Sequence, residues 1–284
     1  MGKPVIVGVD SSRASRDALD WAAGEASLRG EPLSVRHIWG EETVKAPDGG
    51  ESPPTREAGE ALLDEALART LRQYPDMEVT IELLDGLLRD AMTEAAHGAD
   101  LLVLGARGSG GFPGLLVGST SLFVAARAAC PLVVVRPVDP GPGRGGVVAG
   151  VHGDHGDAEV LAFAFDFAQR RDLPLLAVHA WSYPLITMPG HASPPVFEES
   201  HIAAERDRLI AEVLTGWRER YPQVDVTATA VRAQPAGELV ARSRENQLLV
   251  VGRHGEPHGP LGRLGSTSQA TVLHANCPVA VVPT

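Results

Sequence analysis

Glycine recurs where backbone order should discourage it, in LGARGSGGFPGLLVGSTS (104–121) and again in VGRHGEPHGPLGRLGSTS (251–268). Ordering a glycine costs more conformational freedom than ordering any other residue, so clusters at fixed spacing point to something that approaches the main chain closely. Each stretch follows an apolar run that reads as a strand and precedes what reads as a helix start. Glycine N–H groups can curl around the oxygens of an anion, a helix start adds unpaired amides, and Ser119 and Thr120 add hydroxyl donors. Ser119 also reads as the helix N-cap. The anion this chemistry takes is a phosphate. A single copy would fit plain turn glycines before a capped helix equally well; the second copy shifts the weight to phosphate.

Better-known nucleotide loops fit less well. A P-loop needs a lysine after its last glycine, and the only lysines here are Lys3 and Lys45. A Rossmann loop needs G-x-G-x-x-G after the first strand, whereas Gly108 and Gly110 are followed by Pro113 and lie after the fourth.

The glycine spacing belongs to a larger repeat, of the kind that decides a fold. PVIVGVD (4–10) matches GVVAGVH (146–152) and LSVRHIW (33–39) matches LLAVHAW (175–181), both displaced by 142 residues. From RQYPDMEVT (72–80) and ERYPQVDVT (219–227) onward the displacement is 147, through LLVLG and LLVVG, the glycine stretches, and CPLVVV and CPVAVV. The polar loop KAPDGGESPP lies where the lengths diverge. RPVDPGPGRGG (136–146) reads as the junction, giving expected domains at 1–138 and 146–284 with a linker at 139–145.

Within the first half, strands are expected near 4–9, 33–38, 77–83, 101–105 and 132–136, and helices near 13–29, 55–73, 87–98 and 119–128. The first helix carries Ala14, Ala18, Trp21, Ala22 and Ala26 at the spacing of one buried face. Short apolar strands alternating with helices predict an α/β chain of two tandem doubly wound parallel-sheet domains. Ligands of such sheets sit beyond the carboxyl ends of the strands, which is where the glycine stretches fall. If the last strand of each half is an edge, pairing between the halves would protect both.

The composition, 44% apolar and 21% charged, is that of a globular chain. A formal net charge of −11, with both halves acidic, argues against a nucleic-acid surface and requires any phosphate to be held by local groups. No run of about eighteen apolar residues could span a bilayer, and VIVGV begins without a signal sequence, so a cytoplasmic location is expected. Cys130 and Cys277 each precede a proline without a CxxC partner and read as buried apolar residues.

On these residues the chain resembles the tandem-domain universal stress proteins, whose ATP-binding members carry G-x2-G-x9-G-[ST] after the fourth strand. Gly105, Gly108, Gly118 and Ser119 fit that motif in the first half; Gly252, Gly255, Gly265 and Ser266 fit it in the second. The resemblance covers nearly the whole chain, VGVDSS (7–12) included. It implies the universal stress protein fold, which is adenine nucleotide α-hydrolase-like, with ATP and Mg²⁺ as ligands of a stress-response regulator. It also implies a homodimer of two-domain chains. In the family the aspartate ending the first strand, here Asp10, holds the ribose and phosphate end, and main chain near Ile38 fixes the adenine. The implied contacts in the first half are Gly8, Asp10, Ile38, Gly105, Ala106, Arg107, Gly108, Ser109, Gly110, Gly111, Gly118, Ser119 and Thr120. In the second they are Gly150, Ala180, Gly252, Arg253, His254, Gly255, Glu256, His258, Gly265, Ser266, Thr267 and Ser268. Asp10 taken without the glycine loop reads first as the N-cap of the following helix.

The second half departs from this pattern. His152 stands at the position of Asp10, so the carboxylate is lost; Glu256 replaces Ser109, and Pro257, which has no N–H, replaces Gly110. A carboxylate about 7 Å from a phosphate charge costs roughly 2 kcal/mol at an effective dielectric near 20, with Arg263 as a partial offset. Unequal sites are expected, the first tighter. His152, His155, His254 and His258 match no established ligand spacing, so no metal site is assigned. His37 and His179 recur at strand ends and read as structural hydrogen-bond partners; Trp39 and Trp181 read as packing.

No G-x-S-x-G elbow, Cys/His arrangement or paired carboxylate is present at a convincing position, so a binding module is favoured over an enzyme, with slow ATP hydrolysis the most it would support. Two rivals stay open. One is a scaffold that acts by dimerisation and partner contacts without nucleotide. The other is an enzyme related to nucleotide-activating synthetases, for which no cosubstrate pocket is legible.

Overall fold

The computed structural model describes residues 2–39, 55–108, 116–136, 145–153, 157–182, 196–253 and 264–284. The first repeat runs β1 (Val5–Gly8), α1 (Arg13–Arg29), β2 (Leu33–Trp39), α2 (Arg56–Gln73), β3 (Val79–Asp85), α3 (Leu88–Ala95), β4 (Leu101–Gly105), α4 (Ser119–Ala125) and β5 (Leu132–Val135). The second runs β6 (Val147–Gly150), α5 (Asp157–Arg171), β7 (Leu175–Trp181), α6 (Val196–Arg220), β8 (Val226–Arg232), α7 (Pro235–Arg242), β9 (Leu248–Gly252), α8 (Ser266–His274) and β10 (Val279–Val282). The expected elements of the first half are all present, their ends shifted by up to three residues, as fraying at helix and strand ends allows.

The ten strands form one sheet, ordered β3-β2-β1-β4-β5-β10-β9-β6-β7-β8. Every neighbouring pair is parallel except the central one, where β5 and β10 run antiparallel with Val134 opposite Val279 and Leu132 opposite Val281. The last strand of each repeat thus covers the other's edge, as the apolar CPLVVV and CPVAVV runs require.

Strand side chains alternate between faces, and both faces are covered. Val5, Val7, Leu101, Val103, Val133 and their second-repeat counterparts pack under α1, α2, α5 and α6; Ala18, Ala22 and Ala26 of α1 are fully buried there, with Trp21 half-buried beside them. Ile6, Leu102, Leu104, Leu132 and Val134 pack on the opposite face with Met92 of α3, Val124 of α4, Leu239 of α7 and Val272 of α8. Both clusters run through the repeat boundary. Cys130 and Cys277 are buried, and burial pushes the Cys130 thiol up to about 12.

Helices α1 and α5 meet over the central strand pair. Trp21 stacks on Phe167 with centroids 6.1 Å apart, and the Arg171 guanidinium lies 3.8 Å from the Phe167 ring centre. Glu25, with no solvent exposure, accepts from Arg29 Nε and from Arg171 Nη2, each at 2.5 Å; Arg29 also donates to Asp100 at 2.7 Å. Although burial works against its charge, Glu25 holds the Arg29 guanidinium above its ordinary value. Among the described residues no helix is long and apolar enough to cross a membrane.

Candidate functional site

In the first repeat the chain leaves β1 for β2 on one side, while β4 lies on the other, so the carboxyl ends of β1 and β4 flank a topological switch point. The second repeat has the same switch between β6 and β9. The loop after β1 is built on Asp10. Its N–H donates to Ser15 Oγ at 2.8 Å and its Oδ1 accepts from Ser12 N–H at 2.9 Å. Ser12, not Asp10, is the N-cap of α1, accepting from Ser15 N–H at 3.1 Å, so the capping alternative for Asp10 is corrected. Two residues too far from the helix to cap it, Asp10 shapes the turn instead. Ser12 Oγ donates to the Arg107 carbonyl at 3.3 Å, tying this loop to the one after β4. A Cβ built on Gly108 would come within 2.8 Å of Asp10 Oδ2, so the carboxylate lines the glycine loop directly.

The loop after β4 returns to a fixed point. Ala106 N–H donates to Val135 at 2.7 Å, and the Ala106 carbonyl accepts from Gly118 N–H at 2.7 Å. That bond holds Gly118 in extended backbone (φ −71°, ψ 151°) as the N-cap of α4, with no side-chain cap. The expectation that Ser119 caps α4 is therefore corrected: Ser119 is already the first helical residue, and it is exposed. The second repeat copies this geometry. Arg253 N–H donates to Val282 at 2.9 Å, the Arg253 carbonyl accepts from Gly265 N–H at 3.1 Å, and Gly265 caps α8 without a side chain. By contrast α1 and α2 carry hydroxyl caps from Ser12 and Thr55. The helices that follow β4 and β9, α4 and α8, thus have no hydrogen bond from the side chain of their N-cap residue, as is also true of α3 and α7.

Several expected ligand groups have other work in the fold. Ser268 is buried and donates to the Gly252 carbonyl at 2.6 Å, as Ser121 does to Gly105 at 2.9 Å; both hydroxyls bind helix to strand rather than facing a ligand. The recurrence of STS at both helix starts carried that signal, unread. A Cβ on Gly105 would lie 2.8 Å from the Ala14 carbonyl oxygen, so the first turn of α1 alone demands glycine there. Gly8 is likewise hemmed in by Leu104 (2.7 Å) and Met92 Sδ (2.8 Å), and Gly150 by Leu239 at 3.0 Å. Arg253 Nη1 donates to the Ala128 carbonyl of the first repeat at 2.7 Å. Thr120, Thr267 and Ser266 stand on the first turns of α4 and α8. Ile38 (opposite Leu84) and Ala180 (opposite Val231) lie half-buried at the ends of β2 and β7. Ser109, Gly110, Gly111, His254, Gly255, Glu256 and His258 lie outside the described residues, as do Pro257 and Arg263.

The second repeat has His152 and no carboxylate at the position of Asp10, but it carries one on α5. Asp157 stands where Ser15 stands in the first repeat; it is buried and accepts from His152 N–H at 2.8 Å and Gly153 N–H at 2.5 Å. This carboxylate takes the part that the Ser15 hydroxyl plays in the first repeat, its two oxygens holding main chain. His152 remains beside the switch point without the carboxylate that Asp10 supplies in the first repeat. Among the described residues no cluster of His, Cys, Asp or Glu could hold a metal ion.

His37 and His179 take the structural part expected of them, pairing through Nδ1 with the carbonyls of Val9 (2.8 Å) and Val151 (3.0 Å). A carbonyl only accepts, so each imidazole carries its proton on Nδ1. Burial pushes His179 below the ordinary imidazole range, with Arg206 and His152 acting in the same direction against Val151 and Asp157. A histidine kept neutral in the fold lets the unfolded chain bind the extra proton first, so stability falls as pH drops from about 6.5 toward the lowered value. His179→Asn keeps a donor for Val151, and its unfolding free energy is expected to vary less between pH 7.5 and 5.5 than that of the parent, measured by urea denaturation.

Comparison with known proteins agrees with this architecture. The model of the "Universal stress protein family" matches residues 1–136 and 145–283. The chain is 36% identical over 295 residues to Universal stress protein Rv2623 of Mycobacterium tuberculosis, covering 98% of this chain and 95% of that one. It is 34% identical over 298 residues to Universal stress protein Rv2005c of the same organism, covering 99% of each. In fold it is similar to the crystal structure of a universal stress protein from Archaeoglobus fulgidus, with a TM-score of 0.70 at 15% identity over 99% of this chain and 96% of that one. With both repeats matched and full-length relatives above 30% identity, the chain belongs to the universal stress protein family.

Proposed function

We propose that the chain is a nucleotide-controlled regulator that binds ATP with Mg²⁺ at the carboxyl ends of β1 and β4. The observation that carries the reading is that α4, the helix that follows β4 at the switch point, is capped by a glycine beside a loop lined by Asp10, while α1, which follows β1 there, has a hydroxyl cap. Main-chain donors there suit phosphate oxygens, the Asp10 carboxylate suits a hydroxyl or a phosphate-bound Mg²⁺, and the half-buried strand end at Ile38 suits an adenine. The second repeat keeps the glycine cap but holds its carboxylate, Asp157, in main-chain bonds, which supports a weaker second site. The protein acts in the cytoplasm as a homodimer of two-domain chains, a binding module rather than an efficient enzyme.

The test is a calorimetric titration with ATP, with and without Mg²⁺, of the parent and of Gly118→Glu. Among the described residues a Cβ at Gly118 has its nearest neighbour 3.8 Å away, so the described fold has room for the substitution while the added charge meets the phosphates. A carboxylate within about 7 Å of one phosphate charge costs about 2 kcal/mol, so affinity at the first site is expected to fall more than tenfold. Unchanged affinity would refute the assignment. Parent protein that neither binds ATP nor releases adenine nucleotide on denaturation favours the nucleotide-independent scaffold.

A further inference from the structure

Two arginines at non-equivalent positions cross the repeat interface in opposite directions. Arg253 occupies the place that Ala106 holds in the first repeat, and its main chain is the anchor of Gly265 at the start of α8. Its Nη1 donates at 2.7 Å to the carbonyl of Ala128, just past the end of α4, the helix that starts at Gly118. Arg136 runs the other way. It follows Val135, whose carbonyl anchors Ala106 and through it Gly118, and its Nη2 donates to the carbonyl of Val272 near the end of α8. The regular helical partner of that carbonyl is the N–H of Asn276, which turns instead to Ser243 Oγ at 2.8 Å.

Each glycine-capped helix start is therefore one short helix away from an arginine rooted in the opposite repeat. A helix of two turns moves as a rigid body, and an arginine on a carbonyl of its last turn, as at Val272, or of the chain just beyond it, as at Ala128, is a favourable contact that a shift along the axis would weaken. The counterparts of Arg253 and Arg136 are Ala106 and Pro283, so each repeat supplies one link of a kind the other lacks. We propose that these two contacts couple the sites, so that an anion seated at one helix start changes the affinity of the other; for ATP as that anion, this rests on the function proposed above.

The test perturbs one site and reads the other in the full chain. Gly265 has φ −66° and ψ 156°, backbone that any residue adopts, so Gly265→Glu alters the second helix start without demanding an unusual backbone conformation. Amide hydrogen exchange over 119–122 is measured without nucleotide in the parent, Gly265→Glu, Arg253→Ala and the double variant. Coupling predicts that Gly265→Glu changes these rates by at least about fivefold, that the change shrinks when Arg253 is alanine, and that it disappears when Arg136 is alanine as well. If Arg253 is only structural, its loss shifts the rates by itself and leaves the Gly265→Glu effect intact, and that additive result overturns the coupling. Arg136→Ala, read over 266–270 with Gly118→Glu as the perturbation, repeats the cycle in reverse and decides the matter if Arg253→Ala does not fold. ATP titration of the same chains is a separate readout: no binding by the parent removes the nucleotide reading, while the exchange cycle still decides the coupling.

Discussion

Replacing Glu25 with alanine is expected to cost about 3–5 kcal/mol of unfolding free energy, the range for removing one partner of a buried ion pair. Glu25 has no exposure, and its two oxygens hold Arg29 from its own helix and Arg171 from the second repeat. Their side chains are only 5% and 17% exposed. Without the carboxylate, Arg29 keeps Asp100 and Arg171 keeps the face of Phe167, but neither contact replaces a buried counter-charge. Urea denaturation gives the value, and Glu25→Ala combined with Arg171→Ala should fall short of the summed single effects by 0.5–3 kcal/mol in the usual range of contacting pairs. Because the pair is shielded from solvent, 1 M NaCl should not reproduce the loss. A cost below about 1 kcal/mol would mean that the two repeats are held by their strand pair and apolar contacts alone.

That contact also marks where legibility in the sequence ended. The repeat made the two halves, their strands and the need to cover the last strands visible, because apolar periodicity and displacement are written locally. The ion pair was not visible, since Glu25 aligns with Phe167 in the second repeat and its partner Arg171 with Arg29 in the first. Interface residues of a tandem chain need not repeat, as each side meets the other rather than itself. The same limit applied at the site. Glycines after the fourth strand announced a close approach to the main chain, but not which approach: Gly118 caps a helix, while Gly105 makes room for α1. Asp157 escaped notice because the aligned residue, Ser15, performs the same main-chain anchoring with a different functional group.

Gly105→Ala separates the two meanings of a loop glycine. If Gly105 served only phosphate, a methyl group would weaken nucleotide binding and leave stability alone. The geometry gives the opposite expectation. An added Cβ would meet the Ala14 carbonyl oxygen at 2.8 Å, the Ala14 carbonyl carbon at 2.9 Å and the Ser15 nitrogen at 3.1 Å. All three are main-chain atoms in the first turn of α1, so relief requires the helix to move. That helix carries Trp21 and Glu25 into the repeat interface, and Ser12 at its cap holds the loop after β4, so the displacement spreads to both. Overpacking of a fixed core costs about 1–3 kcal/mol, and contact with main chain places this variant at the upper end, about 2–3 kcal/mol by urea denaturation. Gly118→Ala is the matched control: with φ −71° and its nearest neighbour among the described residues 3.8 Å away it should stay within about 0.5 kcal/mol of the parent. Equal stability of the two variants would contradict the close packing of α1 on β4. A large loss at Gly105 with none at Gly118 would assign the motif's first glycine to the fold and leave its last glycine as the one to test against phosphate.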